Sequence, residues 1–142
     1  MVQVVSESEE SATGAAAMFA ADRASQLLGI RVCDLAPGRA LVEMTATAGM
    51  VNGHGIVHGG YVFLLADTAF ACACNYPGAV TVAAAADITF IAPAREGDAL
   101  VAEAVERHRY GRSGVYDVTV RCADRVIAEF RGLSRTLGRP PQ

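Results

Sequence analysis

Residues 52–74 read NGHGIVHGGYVFLLADTAFACAC, and the fold turns on this stretch. Its first part sets Gly53, Gly55, Gly59 and Gly60 around His54 and His58, and from residue 62 to residue 74 no turn signal interrupts it. The second part predicts one helix. Apolar residues fall on every side of it, the pattern of a helix buried all round rather than one lying on a surface. Its polar exceptions are Asp67 and Thr68. A carboxylate in apolar surroundings is strongly disfavoured by desolvation unless it is paired, hydrogen-bonded or put to chemical use. Asp67 is therefore the first candidate functional residue. Upstream, the glycines let backbone amides approach a ligand closely, and a helix N-terminus favours negative charge through its free N–H groups and its dipole. A carbonyl oxygen becoming an oxyanion fits there.

Spacing constrains how these two features can cooperate. Eight residues separate Gly59 from Asp67, which is roughly 12 Å of helix at about 1.5 Å per residue. A carbonyl under attack must lie about 3 Å from both its donor and its nucleophile. One helix does not supply both at once. Two antiparallel copies do, with the glycine end of one facing the aspartate of the other, so the spacing predicts a site at a symmetric dimer interface.

The whole chain bounds the class of protein. Its 142 residues make one domain with room for a proper core, and 52% hydrophobic against 19% charged residues suits extensive burial that includes subunit contacts. A net charge of -3 argues against nucleic acid as the main partner. Cys33, Cys72, Cys74 and Cys122 form no C-x-x-C pair and no disulfide framework, so reduced thiols in a cytoplasmic protein are expected. The N-terminus carries Glu7, Glu9 and Glu10 and no positive region, so no signal peptide is expected. The uncharged run 68–86 is broken by Asn75, Tyr76, Pro77 and Gly78, so no membrane-spanning helix is expected.

In order along the chain, residues 1–13 are rich in Ser and Glu and read as a flexible tail, followed by a single domain over 14–138. A helix is predicted over 15–28 with Gly29 as its stop. Strands are predicted over 30–35 and 39–46 around the Pro37-Gly38 turn, then over 80–91, 99–107, 116–122 and 126–135. The clearest alternation sets Tyr116, Val118, Val120 and Cys122 against Asp117, Thr119 and Arg121. The sum is an α+β chain, an antiparallel sheet of five or six strands wrapped around one long central helix.

Asn52-Gly53-His54, His58-Gly59-Gly60 and Leu65-Ala66-Asp67-Thr68-Ala69, joined by Asp87-Ile88-Thr89-Phe90 and Gly114-Val115-Tyr116-Asp117, resemble the hotdog-fold acyl-CoA thioesterases, specifically their phenylacetate-degradation (PaaI-type) branch. The resemblance covers residues 29–137. It implies a hotdog fold and hydrolysis of an aromatic acyl-CoA, of the phenylacetyl-CoA or hydroxyphenylacetyl-CoA type, to free acid and CoA. No cofactor is implied, since coenzyme A is part of the substrate. By the same resemblance Asp67 is nucleophile or general base, the Gly59 N–H polarises the thioester carbonyl, and Asn52 and His58 position the reacting groups. The resemblance further implies a site shared within a homodimer that pairs into a homotetramer. The chain departs from several relatives at residues 83–86, all alanine, where those carry a hydroxyl or an acid.

Each remaining candidate has two readings. His58 either touches substrate or holds the loop by hydrogen bonds, and Asn52 either orients substrate or serves a tight turn. Thr68 either meets substrate or water or bonds back to its own helix. Gly60 and Tyr61 at the helix start, with Phe90, are candidates for the acyl group; for the aromatics the other reading is core packing. Arg107, Arg109 and Arg112 with Ser113 and Gly114 are candidates for the CoA phosphates, through guanidinium forks and close amides, or form a solvated hairpin. His54 and His58 have the spacing of a helical zinc pair, but the glycines around them argue against a helix, and no metal is expected. Two other functions compete: a hotdog hydratase or dehydratase, and a non-catalytic acyl-CoA sensor, the latter lacking any DNA-binding helix pair.

Overall fold

A computed structural model describes residues 7–75 and 79–137, with side chains described from residue 14 onward. Two helices open the chain, α1 (Glu7–Ala20) and α2 (Arg23–Leu27). The single helix expected over 15–28 is thus divided. Asp22 stops the first helix and caps the second, its carboxylate accepting the Ser25 N–H at 3.0 Å. α1 begins at Glu7, inside the stretch expected as a tail; residues 1–6 and 138–142 lie outside the described residues.

β1 (Arg31–Ala36) and β2 (Arg39–Thr45) form the predicted hairpin. After the long central helix α3 (Gly59–Cys74) come β3 (Thr81–Phe90), β4 (Ala99–Tyr110), β5 (Ser113–Cys122) and β6 (Arg125–Thr136). β2 and β5 follow the alternation read from the sequence, whereas β1 and β3 do not alternate in the single chain. The six form one antiparallel sheet in the order β1-β2-β4-β5-β6-β3. Sheet order differs from chain order at one element, since α3 carries the chain across the sheet and β3 joins the far edge beside β6.

Register explains how the helix seats. Val42 pairs with Ala102 and Ala102 with Val120, while Ala40 pairs with Ala104 and Ala104 with Val118, all buried. Alanines on the middle strand leave room for a helix between flanking valines. Leu65, Ala66, Ala69, Phe70 and Ala73 of α3 are at most 1% exposed. Burying a side chain such as Leu65 or Phe70 contributes about 1.5–3 kcal/mol. Phe70 also fixes one glycine: a Cβ on Gly132 of β6 would stand 2.8 Å from its ring. The ring packs there against Tyr116 and Phe130, with centroids 5.4 and 5.9 Å away. The outer face of the sheet is charged. Asp117 bridges Arg131 and Arg107 at 2.7 and 2.9 Å, and these guanidiniums, Arg131 foremost, hold its carboxyl below the usual range.

Asn75 closes α3. Its side-chain amide donates to Ala71 O at 2.8 Å and Thr81 O at 2.9 Å, and its oxygen accepts the Thr81 N–H at 2.9 Å. The buried side chain thus joins the helix end to the start of the far-edge strand. Asn75→Ala strands the N–H and C=O of Thr81, and at about 1–3 kcal/mol for each buried group without a partner a loss of roughly 2–6 kcal/mol is expected. Urea unfolding followed by circular dichroism measures it.

Burial of α3 departs from expectation on one side. Phe63, Leu64, Asp67 and Ala71 are only half-buried, at helical spacing, so a stripe of an otherwise apolar helix stays partly open in the single chain. Among the described residues no helix is long and apolar enough to cross a membrane.

Candidate active site

The glycine-rich loop is folded by its own polar side chains. Asn52 Oδ1 accepts the N–H groups of His54 at 2.9 Å and Ile56 at 3.3 Å, and a single bridge pairs Val51 with Val57. Val57 N–H donates to Ala94 O and His58 N–H to Met50 O, both at 2.8 Å, which anchors the loop to the body of the domain. His58 is the N-cap of α3, and its Nδ1 accepts the Gly60 N–H at 2.9 Å. A ring nitrogen that accepts is unprotonated, so the imidazole proton sits on Nε2, pointing away from the helix. Both residues therefore hold the loop. Each keeps a donor for a ligand, Nδ2 of Asn52 and Nε2 of His58.

With Gly60 committed to His58 Nδ1 and the Tyr61 N–H to His58 O at 3.0 Å, one amide at the head of α3 remains. The Gly59 N–H has no acceptor among the described residues. It borders a cleft of 540 Å³ lined by Asn52, Val57, Val62, Phe90, Pro93 and Ile127 among others. Gly59 lies close under the Phe90 ring: a Cβ there would stand 2.9 Å from it, so a larger residue displaces the ring. Asn52, Gly59 and Phe90 thus meet at one cleft. Gly60 and Tyr61 follow at the first turn of α3, with the His58 and Tyr61 rings edge to face at 6.3 Å. Ile56, Ile91, Pro93 and Ile127 escaped the sequence reading, since isolated apolar residues on separate segments carry no local signal.

Asp67 is not in the cleft of its own chain. It stands two turns further along α3 on the half-open stripe, and no hydrogen bond to its carboxylate is found among the described residues. Burial first, then the negative charge of Asp22, pushes its pKa above the ordinary carboxylate value. Thr68, weighed as a substrate contact, faces the other way. It is 6% exposed, its hydroxyl donates to Leu64 O at 2.9 Å and it lies 2.9 Å from Ser25 Oγ.

The arginine hairpin divides. Arg107 is bound to Asp117 on the outer face and Arg109 contacts Glu106 at 3.4 Å, while Arg112 forms no ion pair among the described residues. Ser113 and Gly114 begin β5, and Gly114 is buried against Ser134 and Tyr116. Cys72 and Cys74 are buried thiols with pKa values pushed up to about 12 by desolvation, too high for a thiolate at neutral pH. Among the described residues no three His, Cys, Asp or Glu side chains cluster as metal ligands do.

A six-stranded antiparallel sheet around a central helix, with an amide donor free at the helix head beside an apolar cleft, is the hotdog arrangement, and the chain belongs to the Thioesterase superfamily, whose sequence pattern matches residues 54–129. Within that superfamily it is 46% identical over 123 residues to the acyl-coenzyme A thioesterase PaaI of Escherichia coli K12, covering 86% of this chain and 88% of that protein. The structure of the E. coli PaaI protein, from the phenylacetic acid degradation operon, superposes with a TM-score of 0.90 at 43% identity, over 94% of this chain and 97% of that one. The TT0310 protein of Thermus thermophilus superposes with a TM-score of 0.79 at 36% identity, over 82% of this chain and 98% of that one.

Proposed function

We propose that the protein is an acyl-CoA thioesterase hydrolysing aromatic acyl-CoA esters of the phenylacetyl type to free acid and CoA. The observation that carries the proposal is the uncommitted Gly59 N–H at the wall of an apolar cleft. A thioester carbonyl seated there gains a preorganised donor at the position where negative charge develops. Asp67 supplies the second half of the chemistry, as nucleophile on the carbonyl carbon or as general base for water, and the partner subunit brings it to the cleft. The half-open stripe around Asp67 supports this sharing, as does the exposed β3 edge. Asn52 Nδ2 and His58 Nε2 orient the thioester, with Phe90 and Tyr61 beside the acyl group. Arg112, with Arg109, meets the CoA phosphates. Dimers pair into tetramers as the PaaI-type resemblance implies, and free thiols at Cys33, Cys72, Cys74 and Cys122 suit a reducing cytoplasm.

Thiol release from a panel of aryl- and alkyl-CoA esters tests the proposal. Phenylacetyl-CoA is expected among the best substrates; tight binding of all esters without turnover overturns the thioesterase reading and favours a sensor, and consumption of an enoyl ester without free thiol favours a hydratase. Single turnover in labelled water then separates the two roles of Asp67, because only covalent attack carries a carboxylate oxygen into the product. Gly59→Ala keeps the N–H yet drives a methyl group into Phe90, so kcat/KM is expected to fall about tenfold through misplacement of substrate. Phe90→Leu in the same chain is expected to restore most of it.

A further inference from the structure

We propose that Asp22 and Ser25 are positioning residues for the reaction: through Ser25 and Thr68 they fix the turn of α3 that carries Asp67 and keep a second carboxylate alongside it. The inference rests on the reading of Asp67 as nucleophile or base.

Geometry supports it first. Ser25 is 1% exposed and donates its hydroxyl proton to Asp22 Oδ2 at 2.6 Å, a short charge-assisted bond. Having spent that proton, Ser25 Oγ can only accept from Thr68 Oγ1, 2.9 Å away across 43 residues of sequence. Thr68 in turn shares its proton with Leu64 O one turn back along α3. A chain of hydroxyls thus runs from the Asp22 carboxylate into the backbone turn 64–68, which contains Asp67. Capping α2 does not require this, because Asp22 Oδ1 already accepts the Ser25 N–H. Nor does packing require it, since two alanines bury the same contact without desolvating hydroxyls. Fully satisfied buried networks of this kind specify one arrangement of the elements they join.

Charge supports it second. After burial, the negative charge of Asp22 is the further influence that raises Asp67, and it raises Cys72 as well. Among the described residues Asp22 is the charged group acting on Asp67. Cys72 and Cys74 on the same helix are neutral thiols at neutral pH, and the strands beneath contribute apolar side chains and Tyr116, whose hydroxyl donates to Glu106 at 2.9 Å. A neighbouring negative charge makes Asp67 a stronger base.

The test is the pH profile of kcat/KM for phenylacetyl-CoA hydrolysis by the full chain and its variants. Asp22→Asn keeps the cap, its Oδ1 still accepting the Ser25 N–H, because Asn is as good an N-cap as Asp; it removes the charge and puts an NH2 donor where Oδ2 accepted the Ser25 hydroxyl. Its acid limb is expected to move to lower pH by about 0.5–1 unit. Ser25→Ala is expected to lower kcat about tenfold with KM within about twofold, and Ser25→Thr to recover most of the loss. An unmoved acid limb in Asp22→Asn overturns the proposal, whatever the rate, because a purely structural cap behaves that way. Asp67→Asn is the control: if it turns over near the wild-type rate, the role of Asp67 has failed, whereas inactive Asp67→Asn beside an unmoved Asp22→Asn limb sinks only the positioning role.

Discussion

Asp67→Asn is expected to lower kcat/KM for phenylacetyl-CoA by about 10³-fold while making the protein more stable at neutral pH. The loss follows from removing the only group proposed to attack or to activate water, for which general-base contributions run about 10²–10⁴-fold. The gain follows from linkage. Burial and Asp22 raise the folded-state pKa of Asp67 above its unfolded value of 3.8. A group raised in the folded state favours folding when both states are protonated, below the unfolded pKa, and forfeits that contribution as pH rises through the folded one. At pH 7 the wild type therefore holds a half-buried ionised carboxylate without a hydrogen-bond partner among the described residues, and the amide variant does not. Melting temperatures of the two proteins are expected to coincide near pH 3 and to separate in favour of the amide variant toward pH 7. A variant that is inactive but less stable at pH 7 assigns Asp67 a structural ion pair instead, and a variant that stays active removes it from the chemistry.

The anomaly of Asp67 was legible in the sequence, because one carboxylate among thirteen mostly apolar helix positions must either cap a neighbouring backbone group or be put to use. The β1–β2 hairpin and the alternation of β5 were legible for the same local reason: period-two burial and turn residues lie within a few positions of one another. What stayed hidden depends on distant partners. Ser25 meets Thr68 across 43 residues, Asn75 joins the helix end to β3, and the cleft wall gathers Ile56, Ile91 and Ile127 from separate segments. The division of the N-terminal helix was readable in principle, since Asp22 followed by Ser25 has the form of an N-cap, but the surrounding alanines favour an unbroken helix. For Arg107 the residue type suggested phosphate, while the fold sets it at the bulge between Glu106 and His108, where it meets Asp117 of the neighbouring strand.

Val82→Glu and Ala86→Glu together are expected to turn the protein into a folded monomer with at least about 100-fold lower activity. The two sheet edges are built differently. β1 is short, bulged between Val32 and Asp34 and studded with Arg31 and Asp34, devices that blunt an edge. β3 runs ten residues with one charge, Asp87, exposes alanines over 83–86, and carries or borders Val80, Phe90 and Ile91, each more than half exposed. An edge so unguarded fits the proposed pairing of two copies, which aligned antiparallel on it would bring one protomer's Asp67 toward the Gly59 amide of the other. Both substituted positions are exposed in the single chain, so the far-ultraviolet circular dichroism spectrum is expected to persist while light scattering reports the mass of a single chain. Cys33→Glu on the β1 edge, the control, is expected to leave mass and rate unchanged. Sharing of the site has a sharper consequence. Gly59→Pro, made together with Phe90→Leu because proline carries the Cβ that would meet the Phe90 ring, fits the first position of a helix and deletes the N–H, so that double variant and Asp67→Asn are each expected to be inactive. Unfolded and refolded together in equal amounts, half their dimers are mixed, and each mixed dimer holds one site with both groups intact, so activity returns to about a quarter of the wild-type value. No recovery on mixing means that amide and carboxylate act within one chain, and the roughly 12 Å of helix between them then leaves the thioester carbonyl without one of its two partners.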